Sequence, residues 1–423
     1  IAQNFQQNGF DFFHPATYNL LTKDGITQVD FPIHDYAVAL ISSINGSSVV
    51  NVFHWYNLIY SLIGLFFLFQ LFLLFTKSPW RSILGTTFLF TLPFFVYYQN
   101  GFLPSTASFA NLIIGLFYLF KRPNSNSSFW LGVFFLVLAA LARAPFFIFL
   151  VAAFLNEMLQ GSRRKSFSIK RIVPLVLGIF LFIGYYFYNQ YLGKTYGSMF
   201  LNETLHFTSI SNFIDVLVGA ADRWSDQLMS PYHAIILVAL VVASLVQYKT
   251  ALNSTLEQKN LLSLLTISFI GVLLFFIAFG RQFTDHDYYY IDSFLPLLTL
   301  WVIFMLATVS IPRKWYTFIG TACFIFAFYF FGYAKDIQAL RYEPPFDDRV
   351  EYAYSVYENS AEDLKAWSVY PQDTLFIINA NSTNIPFTIW GNKGYSNLKT
   401  RESILRPELD SNFTYAVMVD SFF

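Results

Sequence analysis

The chain runs to 423 residues, of which 55% are hydrophobic, 21% aromatic and only 12% charged, about half the charged share of a soluble domain. Its 26 basic residues balance 26 acidic ones, so no net field draws it to nucleic acid, and a single cysteine, Cys323, excludes an internal disulfide or a cysteine-built metal site. An apolar excess that includes 52 Phe needs a bilayer as its solvent.

In chain order, residues 1–51 read as loop-like, with one amphipathic stretch, Tyr36 to Ile44, suited to a membrane surface. With no initiating Met and no signal peptide, Ile1 reads as a cut point or the first ordered residue, with sequence upstream. Ten apolar runs follow, at about 52–75, 83–98, 106–120, 129–141, 145–157, 172–191, 231–247, 260–280, 290–308 and 315–334. The loops 76–82, 121–128, 157–171, 248–259 and 309–314 carry thirteen Lys or Arg against two acids, which assigns them to the cytoplasm. One long span over 129–157 would put the basic 157–171 loop on the wrong side, so two short spans turn at Arg143-Ala144-Pro145.

That parity places 1–51, 192–230, 281–289 and 335–423 outside, with most of the acids and histidines. After residue 335 the pattern changes to a polar helix over 351–367, a strand over Thr374–Ile378 and another over Tyr415–Asp420. The predicted fold is an all-α polytopic membrane protein of about ten transmembrane helices with a small C-terminal extracytoplasmic α/β domain. It divides into a first outer loop with an interfacial helix (1–51), a membrane domain (52–334) and a soluble outer domain (335–423) whose completeness stays open.

The densest chemical constellation is Arg281, Asp285, His286, Asp287, Tyr288, Tyr289 and Asp292, seven groups between and beside two spans. Arg281 suits a phosphate fork, His286 and the tyrosines suit phosphate or acceptor, and Asp287 suits orienting His286; the competing reading is an aromatic belt at the headgroups. Asp30 and Asp35 flank Pro32 and serve as base, acceptor clamp or metal ligand, or else cap a helix start; His34 between them joins a metal site or is an interface residue. Arg143, beside a helix-breaking proline on the outer side, either binds a carrier phosphate or snorkels to headgroups. Lys194, Asp222, Arg223 and Asp226 lie on a long outer loop that either covers the acceptor or is simply a charged surface.

Three stretches, Ile1-Ala2-Gln3-Asn4-Phe5, Asn8-Gly9-Phe10-Asp11-Phe12-Phe13-His14-Pro15 and Val29-Asp30-Phe31-Pro32-Ile33-His34-Asp35-Tyr36, resemble the first outer loop of the GT-C integral-membrane glycosyltransferases, in the protein mannosyltransferase and lipid A aminoarabinose transferase branch. Asp285-His286-Asp287-Tyr288-Tyr289 with Pro296 resembles a late outer loop of the same branch. The resemblance implies an enzyme that takes a sugar (hexosyl or pentosyl) from a polyprenyl phosphate and gives it to a lipid, glycan or protein acceptor. It also implies a bacterial inner membrane with the active site outside. The family's principal catalytic carboxylate would precede Ile1, leaving Asp30 and Asp35 as the catalytic candidates of this numbering. Arg143, Arg281, Asp285, His286, Asp287, Tyr288 and Tyr289 are then the substrate-binding candidates. The chain departs from the family where Pro104 is followed by Ser105 and Thr106 rather than an acid, and where Asp30-Phe31-Pro32-Ile33 stands in place of Glu-Lys-Pro-Pro. No cofactor is assigned; a divalent metal stays an option, with Asp30, His34 and His286 as candidate ligands. The rival reading is a polytopic transporter or flippase for a lipid-linked or small polar substrate, which would call for mid-membrane ionisable residues and repeated halves. A surface-polysaccharide polymerase or ligase, which shares lipid-linked substrates, is the third.

Overall fold

The computed structural model describes residues 1–99, 101–121, 125–198, 204–247, 255–309, 312–342, 349–398 and 411–419. They form two compact units, one of residues 50–185 and 203–338, the other of 1–49, 186–202 and 339–423.

The larger unit is helical. Its elements are α3 (Val49–Thr76), α4 (Pro79–Phe90), α5 (Pro93–Tyr98), α6 (Ser105–Lys121), α7 (Asn126–Ala142), α8 (Phe147–Arg164), most of α9 (Ile169–Tyr196), α10 (Ile210–Leu228), α11 (Pro231–Val246), α12 (Leu256–Phe279), α13 (Leu295–Thr308) and α14 (Tyr316–Ala339). Helix occupies all ten predicted runs, but among the described residues only six helices have the length and apolarity to cross a bilayer. The count is seven if α10 and α11, bent by 96°, are one span. The 83–98 run is divided because Leu92 is extended ahead of Pro93, and α6 and α7, at 17 residues each, are short for a span. On α9 and α14 large apolar side chains such as Phe180, Leu181, Phe324 and Phe328 stand more than 60% exposed, as an apolar solvent permits. The chain is an integral membrane protein.

Within this unit α6 is buried along nearly its whole length, against α7 above all. The close approach needs glycine on both sides: a Cβ on Gly115 would meet the Gly132 carbonyl oxygen at 2.9 Å, and one on Gly132 would meet that of Gly115 at 2.9 Å. At the basic end of the helices, Arg81 donates to the carbonyls of Leu306 and Val309 at 2.9 Å each and to that of Thr76 at 2.6 Å. One guanidinium thus caps the final turns of α13 and α3, whose last carbonyls have no partner within the helix.

The expected outer loop over 192–230 is largely helix, since α9 continues to Tyr196 and α10 begins at Ile210. The apolar period of Ile210, Phe213, Ile214, Leu217 and Val218 outweighs the interspersed acids. The indole of Trp224 on α10 donates to the Phe283 and Thr284 carbonyls at 3.0 Å each, tying that helix to the turn after α12.

The smaller unit combines α1 (Ala2–Gln7) and α2 (Ile33–Asn45) with α15 (Arg349–Tyr357), α16 (Ala361–Ala366), α17 (Ile385–Trp390) and three parallel strands. These are β1 (Thr374–Ile378), β2 (Lys393–Asn397) and β3 (Tyr415–Met418), in the order β2-β1-β3. Both predicted strands are present as β1 and β3, though Asp420 lies outside the described residues. β1 is central, which suits its continuous apolar run Leu375-Phe376-Ile377, all fully buried. Residues near the N-terminus share this core: Tyr18 packs with Leu364, Leu375 and Phe387, and the Asn19 amide donates to the Thr383 carbonyl at 2.7 Å and to Ser396 Oγ at 2.8 Å. The predicted amphipathic stretch is α2, which exposes Leu40, Ile41 and Ile44 along one side.

Gly132→Leu should lower stability by about 1–3 kcal/mol through overpacking against α6. Gly184→Leu on α9, where an added Cβ meets nothing within 4 Å, should be near neutral. Thermal unfolding of the two variants in detergent checks the contrast.

Candidate functional site

The sequence candidates fall into two sets, one in each unit. In the membrane unit they gather at the end of the helices opposite Arg81, where three breaks in regular structure meet. The first is the turn between α7 and α8. Arg143 is extended (φ −149°, ψ 113°) and Ala144–Phe146 form a single 3-10 turn with Pro145 at its second position, so the chain is forced out of helix at the arginine. The second is a 3-10 segment over Gly280–Thr284 that ends α12. The third is a π-helical turn over Tyr290–Phe294 leading into α13, an irregularity that often marks functional positions.

These breaks bring Arg143 to Asp292. The Arg143 Nε donates to Asp292 Oδ2 at 2.9 Å and Nη2 donates to the same oxygen, with the carboxylate side chain fully buried and the guanidinium 12% exposed. The same guanidinium faces the Tyr288 ring at 4.9 Å. Beside it, the Tyr98 hydroxyl at the end of α5 donates to Asp287 Oδ1 at 2.6 Å, and the Asp287 carbonyl accepts from the Tyr290 N–H at 2.9 Å. Asp287, 3% exposed, is therefore anchored from below.

Around this buried layer lies a more open one. Arg281, Asp285 and His286 are exposed, while Tyr288 and Tyr289 are half-buried. Arg223 of α10 approaches Asp285 at 3.9 Å. His286 stacks on Tyr288, centroids 5.1 Å apart, and meets Tyr289 edge-on at 6.1 Å. Partial burial against those rings disfavours the imidazolium and holds the His286 pKa below its usual value, although Asp285 and Asp287 pull the other way. Burial likewise pushes the Tyr288 phenol up, so it stays a hydroxyl donor at physiological pH. The arrangement offers a neutral imidazole and phenol donors beside the buried Arg143–Asp292 pair, with Arg281 exposed on the 3-10 segment that ends α12, groups able to bind a phosphate and hydrogen-bond a sugar or acceptor.

In the smaller unit, Asp30 is half-buried ahead of α2, and Asp35 sits in the first turn of α2. The N-cap position of α2 is Pro32 and receives no side-chain cap; Asp35 instead faces the positive end of the helix and hydrogen-bonds the backbone of Ala2, tying α1 to α2. Burial raises the Asp35 pKa above the usual carboxylate range, the direction that suits a proton acceptor working near neutrality. His34 is 3% exposed and burial pushes it down to about 4. Phe5, Phe10 and Phe12 surround the Tyr36 ring edge-on, which holds the start of α2 in place.

The metal option gains no geometric support: among the described residues no group of three or more His, Cys, Asp or Glu side chains is placed to hold an ion. Arg143, read from the sequence as a phosphate ligand or a snorkelling cation, has Asp292 as its partner. Tyr98 went unnoticed because a tyrosine ending an apolar run looks like a belt residue, and Trp224 because it lay in a presumed loop. Compared with known families and with curated proteins, the chain matches no family model and no curated protein.

Removing either partner of the Arg143–Asp292 pair leaves a charge in an apolar interior, so Arg143→Met or Asp292→Leu alone should cost about 3–5 kcal/mol. The double variant should recover much of that loss in a double-mutant cycle followed by thermal unfolding. His34 supplies a pH test. Because its folded pKa lies below that of an unfolded histidine, the folded state binds fewer protons between pH 6.5 and 4, and stability drops as pH falls through that window. Relative to His34→Gln, the wild-type protein should lose about 2–3 kcal/mol between pH 7.5 and 4.5.

Proposed function

We propose that the chain is a membrane glycosyltransferase that moves a hexosyl or pentosyl group from a polyprenyl-phosphate donor to a lipid, glycan or protein acceptor. The reaction would run on the outer face of a bacterial-type inner membrane. The observation that carries this reading is the stacking of His286 on Tyr288, whose ring faces the guanidinium of the buried Arg143–Asp292 pair, with Asp287 held by Tyr98 on the same segment. That end is the one away from Arg81 and Arg163-Arg164-Lys165, so charge bias supports an outward orientation.

In the proposed transfer the bond between the sugar C1 and the phosphate oxygen breaks, and a bond forms between C1 and the acceptor oxygen or nitrogen. A carboxylate takes the acceptor proton, with Asp30 and Asp35 the sequence candidates. The departing polyprenyl phosphate gains negative charge, which Arg281 and the hydroxyls of Tyr288 and Tyr289 would stabilise. His286, kept neutral, would hydrogen-bond the phosphate or the acceptor. Fixed positions matter because donors aimed at a developing charge act without reorganising.

Transport is the second reading, favoured by one feature: an ion pair with its acid on a π turn at the start of a span, as transporters with broken helices have. The two separate experimentally. Purified protein given a radiolabelled polyprenyl-phosphate sugar and an extract of envelope acceptors should release polyprenyl phosphate and label an acceptor. Arg281→Gln and His286→Ala should each slow release by about 10²-fold, and Asp30→Asn or Asp35→Asn should do so if that residue is the base. Movement of the intact donor across vesicles without release of its phosphate would select transport instead.

A further inference from the structure

At the basic end of the membrane unit, far along α8 from Arg143, a cavity of about 50 Å³ lies among α6, α7, α8, α9 and α12. Its polar lining consists of Asn156, Glu157, Gln160, Arg164, Arg171 and Asn260, and Phe120 and Phe129 are among its apolar walls. Three of the polar groups are buried, with Asn156 5%, Glu157 7% and Gln160 8% exposed. Burying three polar side chains on consecutive turns of a membrane helix is costly, and the proposed transfer makes no use of them.

The site is built. Helix α8 ends in a Schellman turn, with Ser166 N–H donating to the Gly161 carbonyl at 3.0 Å and Lys165 N–H to that of Ser162 at 3.1 Å. This reverses the chain so that Arg171, in the first turn of α9, returns to Glu157, with Nη1 to Oε1 at 3.4 Å, and lies over the Phe129 ring at 4.4 Å. Arg164, exposed at the mouth, donates to Gln160 Oε1 at 3.0 Å. Among the described residues, the buried Oδ1 of Asn156 accepts no hydrogen bond and the buried Nε of Arg171 makes none.

We propose that this cavity binds a phospholipid headgroup carrying a hydrogen-bond donor beyond its phosphate, such as phosphoethanolamine or phosphoglycerol. Two arginines against one glutamate leave one positive charge, which a phosphodiester monoanion balances, with Arg164 and Arg171 as its forks. The headgroup's terminal ammonium or hydroxyl then supplies the donor that Asn156 Oδ1 lacks, with Glu157 beside it. Size agrees: about 50 Å³ accommodates three or four water-sized groups, the scale of an ethanolamine or glycerol tip, while the phosphate stays at the mouth. The position agrees too, because headgroups lie where membrane helices end and basic residues collect. This site is independent of the transfer chemistry at the opposite end.

Native mass spectrometry of the detergent-purified protein, titrated with dioleoyl phosphatidylethanolamine, phosphatidylglycerol and phosphatidylcholine, tests it. At least one of the first two should bind about tenfold or more tightly than phosphatidylcholine, whose quaternary ammonium has no donor. Asn156→Leu and Arg164→Gln should each weaken that lipid about tenfold, and if Asn156→Leu fails to fold, Arg164→Gln at the exposed mouth decides. Competition by acyl-free glycerophosphoethanolamine or glycerophosphoglycerol at equal concentration would assign the same chemistry to a soluble phosphodiester. Equal binding of all three lipids, or affinity unchanged in Arg164→Gln, would overturn the assignment and leave a water-filled crevice.

Discussion

A charge with no water around it must find its opposite, and the membrane unit is arranged about one such pair. Arg143 can reach Asp292 only because α7 stops before Pro145 and because a π turn at Tyr290–Phe294 turns the aspartate inward. Those departures from helix would be liabilities in a bilayer, where unpaired backbone groups are costly. Here they serve the pairing, and Tyr288 and Asp287 take their positions from the same turn. Tyr98 then secures Asp287, and Trp224 secures the carbonyls of Phe283 and Thr284. Of the exposed groups nearby, His286 rests on half-buried Tyr288 and Asp285 is approached by Arg223.

The two ends of the membrane unit use arginine differently. At one, Arg143 neutralises a buried acid and supports an aromatic ring. At the other, Arg81 satisfies the ends of two helices, while Arg171 and Arg164 frame a polar crevice. A planar guanidinium with several donors suits each role better than lysine's point charge.

Much of this was readable in the chain. The apolar runs, their helical character, the basic side of the loops, the amphipathic stretch at Tyr36–Ile44 and the strands, expected over 374–378 and 415–420 and found at 374–378 and 415–418, follow from period and composition. The candidate residues were named on the same basis, since charges beside apolar runs are few. Hidden were partnerships over long separations. Nothing local links Arg143 to a residue 149 positions away, or Asn19 to Thr383 across 364. The loop expected over 192–230 is mostly helix because its acids broke the apolar pattern for the eye while leaving one face apolar.

The division has a physical reason. Solvent preference and backbone periodicity are properties of neighbouring residues, so the sequence by itself determined that this is a helical membrane protein carrying a small α/β portion, and which side chains are too expensive to be there idly. Pairing, burial and spacing depend on which segments meet. Only the tertiary structure decided that Arg143 belongs to Asp292, that Gly115 and Gly132 let two helices touch, that Tyr18 and Asn19 join the core around β1, and that Asn156 faces a cavity.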